Sequence, residues 1–449
     1  MNRSLYLVAG LGKTGLSIAR YLHRNNKAFI AFDTRQEAPG LTEFQTEFPD
    51  VEVFLQHIPP EVISQISDVI ASPGIPLETP CIAQAAKAGA EVYGDIECLA
   101  REIKVPVVAI TGTNGKSTVT TLVGEMASHA GFKVAVAGNI GAPVLDILGD
   151  GQPYDLWVLE LSSFQLDLTH SLQPVVATIL NVTPDHLDRH HTLEAYIQAK
   201  QKIYKHAHLA LYNRDDVQTM PATVVASARN DKVMTFGQDA PTPGNWGLLE
   251  QAGTIYLAKG SECFFSVDEL LIKGRHNWLN ALAAVALAES AGIAVDSIVH
   301  VLKTFPGLTH RCQWVRTLDE VEWINDSKGT NVGATLSAIN GIGGSMQGKI
   351  VLIAGGQGKG ADFTQLQPAM AEFVRSMVLI GEDADKMEAD LVDTVPIDRA
   401  DSLENAVNLA RARAKPGDVV LLSPACASLD MFRDFNHRGE VFTTLVNGL

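Results

Sequence analysis

Among 449 residues there are only 5 cysteines, Cys81, Cys98, Cys263, Cys312 and Cys426. They are scattered and odd in number, and no two stand as C-x-x-C. That pattern excludes a disulfide framework and a cysteine-based structural zinc site, and it points to a reducing compartment. Long apolar runs are missing as well. The stretch 5–11 is soon broken by Lys13 and Arg20, with no basic segment, longer apolar core and cleavage site to make a leader. Nowhere does an uninterrupted run reach the ~18 residues that a membrane helix needs. The expectation is a cytoplasmic protein with no membrane insertion. Positive charge is scarce: Lys and Arg total 35 against 51 Asp and Glu, a net charge of −16. This is the reverse of the balance that holds nucleic acid by counterion release. A local basic pocket for a small phosphorylated ligand stays compatible with it.

What is there describes a folded protein. Hydrophobic residues make up 46% and charged residues 19%, with 37 Gly and 20 Pro, ordinary usage that excludes a mostly disordered, collagen-like or repeat-array chain. At about 150 residues per domain the length predicts three domains. The alternation of strands, glycines and helices places them at 1–95, 96–306 and 307–449. All three read as α/β: a Rossmann-like N-terminal domain, a central mononucleotide-binding domain of the P-loop ATPase type, and a C-terminal Rossmann-like domain.

In the first block LYLVAGLGKTG predicts a strand entering a glycine turn, a helix follows over 16–22, and a second strand, AFIAFD, ends at Asp33. Gly10, Gly12 and Gly15 match G-x-G-x-x-G, where missing side chains let a helix N-terminus approach a phosphate. The motif alone is weak, and glycines that merely permit tight strand-to-helix packing are the alternative. Thr34 and Arg35 follow Asp33, and Arg35 is a fork suited to phosphate. Ser72, Pro73 and Gly74, after the strand VIA, make a second polar tip at the same sheet edge.

In the central block VPVVAIT predicts a strand feeding Gly112, Thr113, Asn114, Gly115, Lys116, Ser117 and Thr118, then a helix. Backbone N–H groups of such a loop cradle phosphates, Lys116 reaches the terminal ones, and the Ser117 hydroxyl can ligate Mg²⁺. The usual G-x-x-x-x-G-K-S/T would need glycine where Ile110 stands, so the loop is a shortened variant. A neighbouring strand, DLWVLE, ends in Glu160, the acidic tip that a Mg²⁺ opposite the loop requires. A further strand over 175–180 leads into Asn181, Asp185, His186, Asp188, His190 and His191. Their spacing is no zinc signature, and one or two of them as Mg²⁺ ligands is the better use. Lys200 and Lys202 follow on a helix. The segment from Ala207 to about Gly274 reads as short strands decorating the sheet. Next, GRHNWLNALAAVALAESAG predicts an apolar helix that ends at Gly292. Asn277 and Asn280 share a face of its first turn, where they contact a nucleotide or simply cap a buried helix.

The third block repeats strand, Gly or Ser, and helix four times. Asp326, Lys328, Thr330, Lys359 and Ser428 stand at the strand tips, where open α/β sheets bind ligands. The constellation describes an ATP-driven enzyme that activates another substrate. Two other classes stay open: a regulatory ATPase whose flanking domains bind macromolecules, and a nucleotide-binding scaffold built on the first block. Glu160 and the 185–191 cluster beside Lys116 argue against the scaffold.

GTNGKST, ELSSFQL, NVTPDHLDRH with Lys200 downstream, HNWLNALAA, GLTHR, NDSKGTN and LLSPACASLDMFRDF together resemble the ATP-dependent Mur ligase family, across essentially the whole chain. The N-terminal tips and SPACASLDMF resemble its D-glutamate-adding branch. The resemblance implies ATP, D-glutamate and UDP-N-acetylmuramoyl-L-alanine as partners, a monomer, two Mg²⁺ ions, and an acyl-phosphate route in peptidoglycan precursor synthesis. It implies that Gly112 to Thr118, Asn277, Asn280, Arg311 and Asp326 bind ATP. Gly12, Lys13, Thr14, Asp33, Thr34, Arg35, Ser72, Pro73, Gly74, Asn139 and Gln165 would bind the UDP substrate, Lys13 adding a phosphate contact that the family's uridine turn does not include. D-Glutamate would fall to Lys328, Thr330, Lys359, Ser428, Leu429 and Phe435. The catalytic set would be Lys116, His186 and Lys200. The metal ligands would be Ser117, Glu160, His186 and Lys200, the last as N6-carboxylysine.

Overall fold

Continuous apolar runs that end on a polar residue are what a parallel sheet covered on both faces requires, and three sheets built on such strands form here, the last with one antiparallel edge strand. The computed structural model describes residues 5–222, 233–272, 274–344 and 346–449. Contacts divide the chain into two units, Met1–Val182 with His186–Phe236 and Ala283–Ile298, and Thr183–Asp185 with Gly237–Leu282 and Val299–Leu449.

The first unit holds two all-parallel sheets. β1 (Leu5–Ala9), β2 (Phe29–Asp33), β3 (Val53–Leu55), β4 (Ile66–Ala71) and β5 (Glu91–Tyr93) run in the order β3-β2-β1-β4-β5. The order reverses between β1 and β4, so the loops after these strands leave toward opposite faces and open a crevice at the sheet's C-terminal edge. β6 (Val107–Thr111), β7 (Val134–Gly138), β8 (Leu156–Glu160), β9 (Val176–Ile179), β10 (Leu209–Asn213) and β11 (Val233–Phe236) run in the order β11-β10-β9-β6-β8-β7. β6, which feeds the phosphate loop, therefore lies between the strands ending at Glu160 and just before Asn181. One hydrophobic cluster joins the two sheets, from Val8, Ile18 and Phe44 through Cys98 and Leu99 to Trp157, Leu159 and Tyr196.

The second unit begins with β12 (Trp246–Gln251), β13 (Thr254–Lys259) and β14 (Glu262–Ser266), an antiparallel meander. This corrects the reading of residues 207–274 as decoration of one sheet. β10 and β11 extend the parallel sheet, whereas β12 to β14 form a sheet of their own. Ala252 and Gly253 both take positive φ, 52° and 80°, the geometry of a two-residue hairpin that returns the chain antiparallel. The helix Arg275–Ser290 follows. The last sheet comprises β15 (Gln313–Leu318), β16 (Val321–Asn325), β17 (Ile350–Gly355), β18 (Val374–Ile380), β19 (Ile397–Arg399) and β20 (Val419–Leu422). Its order is β15-β16-β20-β17-β18-β19. Only the β15–β16 hairpin is antiparallel. Separate hydrophobic clusters cover its two faces. Among the described residues no helix is long and apolar enough to cross a membrane.

The three glycines after β1 divide by task. A Cβ on Gly15 would overlap the carbonyl oxygen of Gly10, while Gly12 has no atom within 4 Å of its Cβ position and an ordinary φ of −100°. Gly15→Ala should lower unfolding free energy in urea by about 2 kcal/mol or more, since the backbone must move. Gly12→Ala should stay within about 1 kcal/mol of wild type. Equal effects would contradict this division.

Candidate functional site

β6 ends at Thr111, and the chain turns through Gly112 and Gly115 (φ +154° and +81°) into the helix Lys116–His129. No acidic residue stands in that helix's first turn, so the helix itself supplies nothing to offset the positive end that faces the loop. Lys116 Nζ donates to the carbonyls of Gly112 (2.9 Å) and Thr113 (2.8 Å). Lys200 Nζ, from the helix Leu193–Gln201, donates to the same Gly112 oxygen at 2.8 Å. At the tip of β8, Ser117 Oγ donates to Glu160 Oε2 at 2.6 Å and Asn139 Nδ2 to Glu160 Oε1 at 2.9 Å. Beyond β9, Asn181 exchanges hydrogen bonds with the backbone of Asn114 at 2.8 and 3.0 Å. The loop is thus held from both flanking strands, with Thr113, Ser117 and Thr118 buried.

The polar cluster after β9 separates into different roles. His186 takes φ +53°, and its ring meets Phe164 edge-on, centroids 5.0 Å apart. His190 stacks on Phe164, and its Nε2 lies 2.9 Å from Ser163 Oγ. Burial pushes its imidazole below the usual range, and its ring is engaged by Phe164, Tyr196 and Ser163. Asp185 accepts from Asn331 at 3.5 Å, and His191 is exposed. The Asp188 side chain lies outside the described residues. Tyr196 carries no motif signal, yet its ring meets His186, His190 and Lys200, and its hydroxyl lies 3.2 Å from Thr113 Oγ1. Its place four residues before Lys200 on one helix was the available clue.

Among the described residues no group of three or more His, Cys, Asp and Glu is placed to hold a metal. Mg²⁺ does not need one, because it retains waters and takes one or two carboxylates together with substrate phosphates. The hydroxyl–carboxylate pair of Ser117 and Glu160, beside two lysines and a helix N-terminus, has the chemistry for a Mg²⁺–polyphosphate.

A cavity of about 630 Å³ opens at the crevice between β1 and β4. Its walls include Gly12, Lys13, Thr14, Thr34, Arg35, Ser72, Pro73, Gly74, Asn139 and Gln165. Ser72 Oγ is buried without a hydrogen-bond partner, and it belongs to a residue of this wall. Gln165 instead closes a capping box with Ser162. Asp33 is the one expected member absent from the lining. Its carboxylate accepts from the N–H of Leu11, from the N–H of Arg35 and from the Arg35 fork, at 2.8 to 2.9 Å. Burial alone would raise it, but these donors hold it below the ordinary range. Asp33 thus orients Arg35, which does line the cavity. Asp95 lines the cavity without having been anticipated, because an acid in the first turn of the helix Asp95–Glu102 reads as a cap. Burial pushes its carboxyl up to about 6 against backbone N–H donors that oppose it, among them Ile96 at 3.0 Å.

In the second unit the expected amino-acid residues follow three adjacent strands. Lys328 and Thr330 lie after β16, Ser428 and Leu429 after β20, and Lys359 after β17. Lys328 Nζ stands 3.9 Å from the centre of the Phe435 ring. Ser428 is buried, whereas Leu429 is 65% exposed. Lys359 is exposed, with φ +52° in its glycine turn. The loops after β17 and β20 are laced by Gln357 and Ala427, whose backbones exchange bonds at 3.0 and 2.9 Å. Asn280 Nδ2 donates to Asn277 Oδ1 at 3.1 Å, both buried, so each amide holds the other in place on the shared helix face. Asp326 accepts from Ser423 Oγ (2.7 Å) and Cys312 N (3.1 Å), and burial pushes its carboxyl up to about 6 although half-buried Arg311 opposes this.

Comparison with known proteins gives the family. The profile of the Mur ligase MurD-like N-terminal domain matches residues 4–94, that of the Mur ligase middle domain 110–288, and that of the Mur ligase glutamate ligase domain 310–426. The chain belongs to the Mur ligase family. It is 72% identical, over the full length of both, to the UDP-N-acetylmuramoylalanine–D-glutamate ligase of Legionella pneumophila (strain Paris). Against the ligase of the same name from Pseudomonas fluorescens it is 47% identical, across 99% of this chain and 98% of the relative. Among solved structures, MurF from Acinetobacter baumannii shares the fold with a TM-score of 0.61 at 19% identity, covering 99% of this chain and 90% of that one. The chain therefore has the three α/β domains of the Mur ligase architecture.

The Asp95 carboxyl gives a pH signature. With a folded value near 6 against an ordinary 3.8, the folded state keeps a proton that the unfolded state has lost between these values. Stability falls as pH rises through that window and stays lower above it. Asp95→Asn, which cannot ionise, should therefore gain roughly 2 to 3 kcal/mol relative to wild type on going from pH 4 to pH 8. Denaturant unfolding of both proteins at pH 4, 6 and 8 measures it, and a pH-independent difference would contradict it.

Proposed function

We propose that this Mur ligase joins D-glutamate to UDP-N-acetylmuramoyl-L-alanine at the expense of ATP, in the assembly of peptidoglycan precursors. The observation that carries the reading is the loop after β6: Lys116 and Lys200 on one carbonyl, with the Ser117–Glu160 pair beside them. The full-length 72% identity to a D-glutamate ligase supports the choice of substrates. Residues 1–95 are assigned to the UDP-sugar, 96–306 to ATP and 307–449 to the amino acid.

In this reading the loop amides of residues 112–118 and Lys116 bind the ATP phosphates. Asn277, Asn280, Arg311 and Asp326 are assigned to the adenosine and phosphates. The cavity between β1 and β4 binds the UDP-sugar, with Lys13, Arg35 and Ser72 offering donors to its pyrophosphate and Asn139 and Gln165 facing the muramoyl part. The terminal L-alanyl carboxylate attacks the γ-phosphorus, the bond to the bridging oxygen breaks, and ADP leaves. Lys116 offsets the charge that spreads over the transferring group. The neutral amine of D-glutamate then attacks the acyl phosphate, loses a proton and expels phosphate, leaving the amide. Lys328, Thr330, Lys359, Ser428, Leu429 and Phe435 orient the amino acid. Ser117, Glu160, His186 and Lys200 as a carbamate would hold two Mg²⁺ ions, which when bound supply further positive charge to the phosphates. The enzyme is assigned to the cytoplasm as a monomer.

Phosphate release by the purified protein with ATP and Mg²⁺ tests the reading. It should require both the UDP-muramoyl substrate and D-glutamate, with L-glutamate and meso-diaminopimelate poor. Equal release without the nucleotide-sugar would overturn the ligase reading in favour of a plain ATPase.

A further inference from the structure

Arg438 stands on the helix Phe435–Gly448, and only 1% of it is exposed. Its Nε donates to Ser327 Oγ at 3.0 Å and its Nη2 to the Ser327 carbonyl at 2.8 Å. Nη1 and Nη2 both reach the Cys426 carbonyl, at 3.3 and 3.2 Å. Ser327 Oγ in turn donates to the carbonyl of Phe435 at 2.8 Å. One guanidinium therefore ties together the loop after β16, the loop after β20 and the start of the last helix. Ser327 immediately precedes Lys328, and Cys426 stands two residues before Ser428. Phe435 carries the ring under the Lys328 ammonium.

All of these acceptors are uncharged. Asp326 and Asp430 act on Arg438 through space, but neither accepts one of its hydrogen bonds. Burial without such a carboxylate brings the guanidinium down to about 10, still charged at neutral pH. A buried cation with only carbonyl and hydroxyl partners is unfavourable for stability alone. Offset only through space by Asp326 and Asp430, it projects positive potential toward the loop ends it fixes, in a medium that screens poorly.

We propose that Arg438 is a positioning residue for the amino-acid substrate, locking the two strand-end loops that carry Lys328 and Ser428 and biasing their tips toward a dicarboxylate. The inference rests on the assignment of D-glutamate to these loops and adds a residue that does not touch the ligand. It separates from a purely structural clamp, because a clamp needs the hydrogen bonds but not the charge.

Steady-state kinetics of Arg438→Gln and Arg438→Lys beside wild type, each with a thermal melt, test it. Arg438→Gln should raise the KM for D-glutamate at least tenfold while kcat falls less than about threefold and the KM values for ATP and the UDP-sugar stay within about twofold. Arg438→Lys keeps the charge without the fork and should recover part of the loss. If Arg438→Gln does not fold, Ser327→Ala decides. It removes one acceptor and should raise the D-glutamate KM severalfold with the other two unmoved. A folded Arg438→Gln with unchanged D-glutamate KM, or all three KM values rising together with no recovery in lysine, would overturn the proposal. For Ser327→Ala, an unmoved D-glutamate KM would do the same. Wild-type enzyme that shows no D-glutamate-dependent turnover would instead remove the underlying substrate assignment, and the proposal with it.

Discussion

Two ammonium groups on one carbonyl set the terms for the rest of the first unit. Lys116 and Lys200 both donate to Gly112 O, at 2.9 and 2.8 Å. Two unit charges held about 4 Å apart repel by about 4 kcal/mol at an effective dielectric of about 20, the order of cost that two ammonium groups sharing one acceptor face. A helix N-terminus without an acid in its first turn adds positive potential at the same place. Such a concentration of charge is unfavourable for folding and favourable for a polyphosphate. The surroundings hold it: Asn181 fixes the loop from β9, and the Glu160 carboxylate bonded to Ser117 and Asn139 balances it from β8.

The same logic gives the Lys200 carbamate a physical rationale. A neutral Lys200 amine that added CO₂ and lost a proton would become an anion while keeping an N–H for the Gly112 carbonyl. Repulsion toward Lys116 would become attraction, and a buried oxygen ligand would stand where Mg²⁺ needs one. Tyr196, shared by His186 and Lys200, keeps these side chains in a common wall. In the second unit buried charge is handled differently. Arg438 is spread over neutral carbonyls, and Asp326 is held by one hydroxyl and one amide.

Much of this was legible in the sequence, for a definite reason. Parallel strands buried on both faces read as apolar runs, and the residue that ends each run is where ligands are met. Hence Glu160, Ser72 and the loop 112–118 stood out, and Gly15 through its spacing from Gly10. Features whose role depends on three-dimensional neighbours stayed hidden. Tyr196 resembles a core aromatic, Asp95 a helix cap and Arg438 a surface arginine until their surroundings are known. The strand β15 escaped because its hairpin turns on Asp319 and Glu320, both at positive φ, without the glycine that usually marks such a turn. The meander β12 to β14 looked like sheet decoration because short strands do not reveal their partners. Asp33 matched the expected spacing, yet it serves by holding Arg35.

In the phosphate and metal centre proposed for the end of β6, Lys200 would contribute a negative group that balances the charge of Lys116. The turnover of Lys200→Ala with and without added acetate tests it most directly, beside a thermal melt to confirm folding. Near-complete loss of activity that acetate partly restores, with chloride at equal ionic strength giving no recovery, is the predicted result. A folded Lys200→Ala that retains near-normal turnover, or one that acetate leaves as inactive as chloride does, would contradict the account.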